Sequence, residues 1–105
     1  MKDMKKFLRF VSTMSNVCMV DGIIKNMGKT NTIVDAVLCT INTFRKEHIL
    51  ILYYRYLSKH RKTVTYVCEL LYVSPTKFFT EQRIALEKFN VCFSLNNTYF
   101  NNKLQ

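Results

Sequence analysis

Residues 63–89 read TVTYVCELLYVSPTKFFTEQRIALEKF, and the spacing within them decides the expected fold. Thr63 is placed to cap a short helix whose inner positions Val64, Val67, Cys68 and Leu71 recur about one turn apart. After Tyr72 and Val73 comes Ser74-Pro75, a strong start signal. Serine there can accept a hydrogen bond from a free amide of the first turn, and proline at the first helical position gives up no helical hydrogen bond. A second helix is therefore expected from Pro75. Two helices across a three-residue turn, with the small Cys68 at the fifth position of the first, form the pattern of a helix-turn-helix.

Along the second helix, a wheel of ~100° per residue gathers Phe78, Phe79, Ala85, Leu86 and Phe89 on one side, with Gln82 in the middle of that apolar face. Thr76, Lys77, Thr80, Arg83, Ile84 and Glu87 lie elsewhere, mostly outward. Hydroxyls, cations and one aliphatic group are the chemistry that meets base edges, thymine methyls and phosphates in a major groove. A helical hairpin with a solvated basic face fits the same spacing. Just upstream, residues 58–62 read SKHRK and lack any apolar side chain, so they are either a solvated loop or a phosphate clamp built on the four basic-type side chains Lys59, His60, Arg61 and Lys62.

Composition supports a helical setting for this motif. A chain of 105 residues has room for one domain, and 49% apolar residues suffice for a cooperative core. Two Gly and one Pro are too few turn formers for a sandwich or barrel of many short strands, so the expected class is all-α. Sixteen Lys and Arg against seven Asp and Glu give a net charge of +9. That balance suits nucleic acid, and equally an acidic protein, an anionic membrane or simple solubility. The excess is spread along the chain: residues 1–44 hold six cations and three acids, residues 45–88 nine and four.

Residues 46–57, KEHILILYYRYL, are nearly all apolar or aromatic after the first three. Leu50, Tyr53, Tyr54 and Leu57 fit one helical face, although β-branched content leaves a strand open. Thr32 is expected to begin a helix in which Asp35 imitates a capping box, with Val34, Val37, Leu38 and Ile41 inward and Phe44 closing it. Residues 3–20 place Met4, Phe7, Leu8, Val11, Met14 and Cys18 at three-and-four spacing, an amphipathic helix that either packs on the same core or offers a stripe for a homodimer. Gly22 and residues 26–31 read as connections around a short apolar anchor, Ile23 and Ile24. The expected organisation is a helical extension over 1–31, the helix-turn-helix domain over 32–92 and a tail over 93–105, whose Asn-rich stretch from Leu95 to Gln105 is expected to be a frayed end.

Other functions are disfavoured. No secretory signal opens the chain, and no apolar run approaches the roughly 18–20 residues that span a bilayer, so a cytoplasmic protein without membrane contact is expected. Cys18, Cys39, Cys68 and Cys92 lie too far apart for paired zinc ligands and are expected to be buried and reduced, and His48 and His60 add no metal spacing. No phosphate loop, H-E-x-x-H or nucleophile elbow is present, and the seven acids form no obvious pair. The chain is expected not to be an enzyme and to need no cofactor or metal.

L-x-x-R-Y-L at 52–57, T-V-x-x-V-x-x-L-L-x-V-S at 63–74 and R-x-A-L-E-K-F at 83–89 resemble the DNA-binding region four of bacterial sigma factors. They are more closely similar to the ArpU and RinA-type phage regulators of late transcription, and DAVLCTINTFRKEHILILYYRYL at 35–57 resembles the helices preceding the motif in those proteins. The resemblance covers roughly residues 35–90. It implies sequence-specific binding to double-stranded DNA and transcription regulation in a phage or prophage, near the nucleoid of a bacterial host, without catalysis. By position it places Ser74, Thr76, Lys77 and Thr80 against bases and phosphates, Arg83 and Ile84 one turn on, and Thr63 at a phosphate. Three residues depart from the pattern: Tyr72 replaces a small turn residue, Glu81 replaces an aliphatic one, and Gln82 sits on the apolar face. Glu81, Glu87 and Ile84 on the outer face suit the rival expectation, a sigma-like module that grips RNA polymerase or another regulator.

Overall fold

A computed structural model describes the backbone of residues 2–104 and the side chains of residues 3–94. In chain order the elements are α1 (Lys2–Thr13), strands β1 (Val17–Val20) and β2 (Ile23–Asn26), α2 (Thr32–Ile41), α3 (Lys46–Leu52), α4 (Val64–Leu71) and α5 (Pro75–Leu104). A π-helical turn, Tyr53–Leu57, continues α3. The fold is thus mostly helical, with one small two-stranded sheet where an all-α chain was expected.

The sheet corrects the first segment. α1 stops at Thr13, where the Thr13 hydroxyl donates to Phe10 O at 2.6 Å and that of Ser15 to Val11 O at 2.9 Å. Hydroxyls on the last carbonyls compete with continuation of the helix. The chain then forms an antiparallel hairpin pairing Val17 with Asn26 and Val20 with Ile23. Its two-residue turn is Asp21-Gly22, both at positive φ (53° and 79°), as a type I′ turn demands. Asp-Gly between β-branched residues is a strong hairpin signal that the helical spacing running on to Cys18 obscured.

An isolated hairpin is marginal in water, so this one needs tertiary support. Ile24 and Val17 are buried in the main core, and Asn42 after α2 clamps the β2 backbone from the side. Its amide donates to Ile24 O and accepts from Ile24 N, both at 3.0 Å, as a neighbouring strand would.

α2 begins at Thr32 as expected, with Asn31 as the cap: its side-chain oxygen accepts from the amides of Ile33 and Val34. Leu8 and Val11 of α1, Val34, Val37, Leu38 and Ile41 of α2, Ile49 and Leu52 of α3, and Ala85, Leu86 and Phe89 of α5 form one core. Of the two uses open to the apolar stripe of the first segment, packing on the same core is the one seen for Leu8 and Val11, with Met4, Phe7 and Met14 partly buried against it. Phe93 also packs on this core, its ring 5.4 Å from Phe7 and 5.2 Å from Phe89. The backbone of α5 continues as helix to Leu104. No Gly or Pro follows Pro75 to stop it.

A second cluster, Ile51, Val67, Cys68 and Phe78, lies between α3, α4 and α5. α3 faces both cores, Ile49 and Leu52 toward one and Ile51 toward the other, which is why residues 49–57 are apolar almost throughout. The open alternative at 46–57 is settled as helix. Of the cysteines, all free, Cys68 is buried, Cys18 and Cys92 are half-buried and Cys39 is exposed, which corrects the expectation that all four are interior. No helix among the described residues is long and apolar enough to cross a membrane.

Candidate nucleic-acid interface

α4 and α5 meet across residues 72–74, and local chemistry sets both helix ends. Thr63 Oγ1 accepts from the Tyr66 amide at 3.1 Å, and Ser74 Oγ accepts from the Lys77 amide at 3.2 Å. α4 ends in a Schellman arrangement: the Val73 amide donates to Cys68 O at 3.0 Å and the Tyr72 amide to Glu69 O at 3.4 Å. That geometry requires a left-handed residue, and Tyr72 adopts it with φ 59° and ψ 44°. Its ring is 95% exposed. The aromatic departure in the turn thus keeps the turn geometry and projects a ring into solvent.

Phe78 fills the second core beneath the turn, against Ile51, Val67 and Cys68. The adjacent Phe79 is 53% exposed, which corrects its placement on the inner face; neighbours a quarter-turn apart straddle the edge of the buried stripe, and only Phe78 falls inside it. Gln82 is buried as the wheel implied, and its Oε1 has no hydrogen-bond partner among the described residues.

Glu81 changes the electrostatics of the face. Its side chain is 14% exposed; Oε2 lies 2.7 Å from His48 Nε2 and Oε1 2.9 Å from Lys77 Nζ. It is therefore inward, a correction to its expected outer position. An ionised carboxylate only accepts, so His48 carries its proton on Nε2 and donates it. Hydrogen bonds from Lys77 and then His48 hold the Glu81 carboxyl down at about 2. Lys77, itself 59% exposed, is consequently tied to an acid one turn away and is not a free cation.

The remaining expected contacts separate into two groups. Thr76, Arg83 and Ile84 are exposed on α5, with half-buried Thr80 between them, its hydroxyl donating to Thr76 O at 3.1 Å. Ser74 and Thr63 are exposed at the two helix starts. In the 58–62 loop the two cations diverge. Lys62 Nζ sits 5.1 Å from the centroid of the Tyr66 ring on α4, whereas Arg61 lines a cavity with Arg9, Ser12 and Thr13 of α1.

Arg55, half-buried inside the apolar run, donates from its Nη1 to Lys62 O at 2.8 Å. With Ser58 N to Tyr53 O at 2.8 Å and Lys62 N to Tyr54 O at 3.0 Å, it pins the basic loop to the π turn. Arg55 is thus a positioning residue that composition could not separate from the free cations; its place inside an otherwise apolar run was the available signal. Among the described residues no group of His, Cys, Asp and Glu could hold a metal ion. No family model, no curated protein and no solved structure matches the chain.

Proposed function

We propose that the chain is a sequence-specific, double-stranded DNA-binding transcription regulator of phage or prophage type, working in the cytoplasm of a bacterial host, with the first turns of α5 in the major groove. The observation that carries this reading is the doubly capped three-residue turn that seats α4 and α5 on a common small core while leaving Thr76, Arg83 and Ile84 outward. Thr76, Thr80, Arg83 and Ile84 read base edges, with Arg83 the strongest reader because guanidinium can bond a guanine in two places. Lys62, Thr63 and Ser74 hold phosphates, and Tyr72 lies against the backbone beside the turn. The net charge of +9 supplies long-range attraction.

The test is binding to promoter fragments against random duplex over a salt series. Affinity should fall steeply with salt, and the absence of salt-sensitive binding to any duplex would sink the proposal. Arg83→Ala should cost about 1–3 kcal/mol and relax sequence preference. Lys77→Ala should cost less than Arg83→Ala, since Glu81 already holds the Lys77 ammonium.

A second reading is favoured by one specific observation: Tyr72, Phe79 and Ile84 all expose apolar surface near the start of α5. A sigma-like module gripping RNA polymerase or another regulator would use that surface. Retention of polymerase after nuclease treatment, lost in Phe79→Ser, supports it over DNA binding.

A further inference from the structure

An open cavity of about 390 Å³ lies where α1 meets the π turn and the basic loop. Three cations line it, Arg9 from α1 and Lys59 and Arg61 from the loop, together with the hydroxyl residues Ser12, Thr13, Ser58 and Tyr56. Among the described residues no acid lines it and none of the three cations is in an ion pair. The depression beside Glu81 is different, since there Glu47 and Glu81 offset Arg45 and Lys77. Unopposed like charges around one concavity repel each other, and an anion entering it relieves that repulsion.

The surrounding groups are arranged to donate. The Arg9 guanidinium sits 5.8 Å from the centroid of the Tyr56 ring, a cation–π contact that leaves its N–H edges free for other partners. Ser58 Oγ accepts from the His60 amide at 3.2 Å, so its own proton is available. Burial pushes the Tyr56 phenol up, so it keeps its proton. The floor is fixed: the π turn places Tyr56, and Arg55 and two backbone hydrogen bonds pin the loop that carries Lys59 and Arg61. A π turn is rare in helices and often occurs beside functional sites.

We infer that this cavity is a phosphate-binding site, in which Arg9, Lys59 and Arg61 neutralise the anion and Ser12 and Ser58 donate to its oxygens. Two sources share that chemistry: a phosphodiester of a nucleic-acid backbone and the phosphate of a free phosphorylated ligand. The site draws on Arg61 but on no residue of α5, so it stands apart from the proposed recognition helix.

Titration of the full chain with pyrophosphate at constant ionic strength, followed by amide NMR, tests the site. Saturable shifts are expected at Ser12, Thr13 and residues 58–61, with affinity falling about tenfold in Arg9→Gln and again in Lys59→Gln, as expected for lost charge-assisted hydrogen bonds. Shifts that rise without saturation, or that are the same in wild type and Arg9→Gln, overturn the proposal. Arg9 and Lys59 are exposed, so neither change opens the core.

A duplex titration then separates the two sources. If the site takes a backbone phosphate, duplex displaces pyrophosphate and Arg9→Gln lowers the salt slope of duplex binding by about 1. If it takes a free ligand, duplex binding is the same in Arg9→Gln while pyrophosphate affinity falls. Arg83→Ala keeps the pyrophosphate shifts under either source, so failure of the α5 assignment is distinguishable from failure of this one.

Discussion

At Asp21-Gly22 the chain reverses with φ of 53° and 79°, and the residue types suit the conformation; at Tyr72 it enters the same region with φ 59° on a side chain that carries a full ring. The first turn is set by its own residues, since Gly bears no Cβ penalty and Asp tolerates the left-handed region. The second is set by its surroundings. Two Schellman hydrogen bonds and the Phe78 core beneath hold Tyr72 where an isolated tyrosine would not stay. The contrast shows two ways to place a turn, by local preference or by tertiary support, and an unsuited residue in the second kind is a candidate for function. The ring of Tyr72 is 95% exposed and contributes nothing to the core.

Removing the support should do the most damage. Phe78→Ala is expected to cost about 3–5 kcal/mol in chemical denaturation, because it empties the cluster that seats the turn between α4 and α5. If instead it cost no more than a surface change, Tyr72 would have to be held by the backbone hydrogen bonds alone.

Next in size come the polar clamps. Asn42→Ala removes both hydrogen bonds that hold Ile24 and should cost about 1–3 kcal/mol, loosening the hairpin first, as hydrogen exchange at residues 17–26 would report. Glu81→Ala strips the buried His48 of its partner and should cost a similar amount, about 1–3 kcal/mol near neutral pH.

Glu81 also links the α5 side of the comparison to pH. Its carboxyl lies at about 2 in the folded protein against an ordinary value of 4.5. The unfolded chain therefore binds more protons between those values, and stability falls as pH drops through that window. This contribution is complete above about pH 5 and lost below about pH 2. Denaturation midpoints measured across that range should slope in the wild type and flatten in Glu81→Ala.

The smallest effects oppose each other in sign and test the contrast directly. Gly22→Val should destabilise by about 1–2 kcal/mol, the cost of the left-handed region for a residue with a Cβ. Tyr72→Gly should stabilise by about 1 kcal/mol while weakening duplex binding. A Tyr72→Gly protein that is no more stable than wild type would show that the turn carries no strain. One that is more stable with unchanged duplex affinity would remove Tyr72 from the interface.

Much of the α4–α5 region is legible in the sequence, because its signals act over three or four residues. Thr63 and Ser74 cap as their spacing implies, Pro75 opens the helix, and the small Cys68 meets Phe78. The Asp21-Gly22 signal is equally local but competes with an apolar spacing that continues past the true end of α1. What periodicity does not resolve is the roll of α5. Phe78 and Phe79, or Lys77 and Glu81, are separated by less than the width of a helix face, so sequence spacing alone ranks them poorly.

By itself, then, the sequence determined where the helices start and that the chain is basic, since caps, proline and charge are properties of neighbouring residues. Only the tertiary structure decided that Glu81 turns inward, because His48 of α3, 33 residues away in the chain, supplies its partner. Only the tertiary structure, too, set Arg9 beside Lys59 and Arg61. Those contacts depend on how α1 and α3 pack around the core, and packing joins residues that no local rule connects.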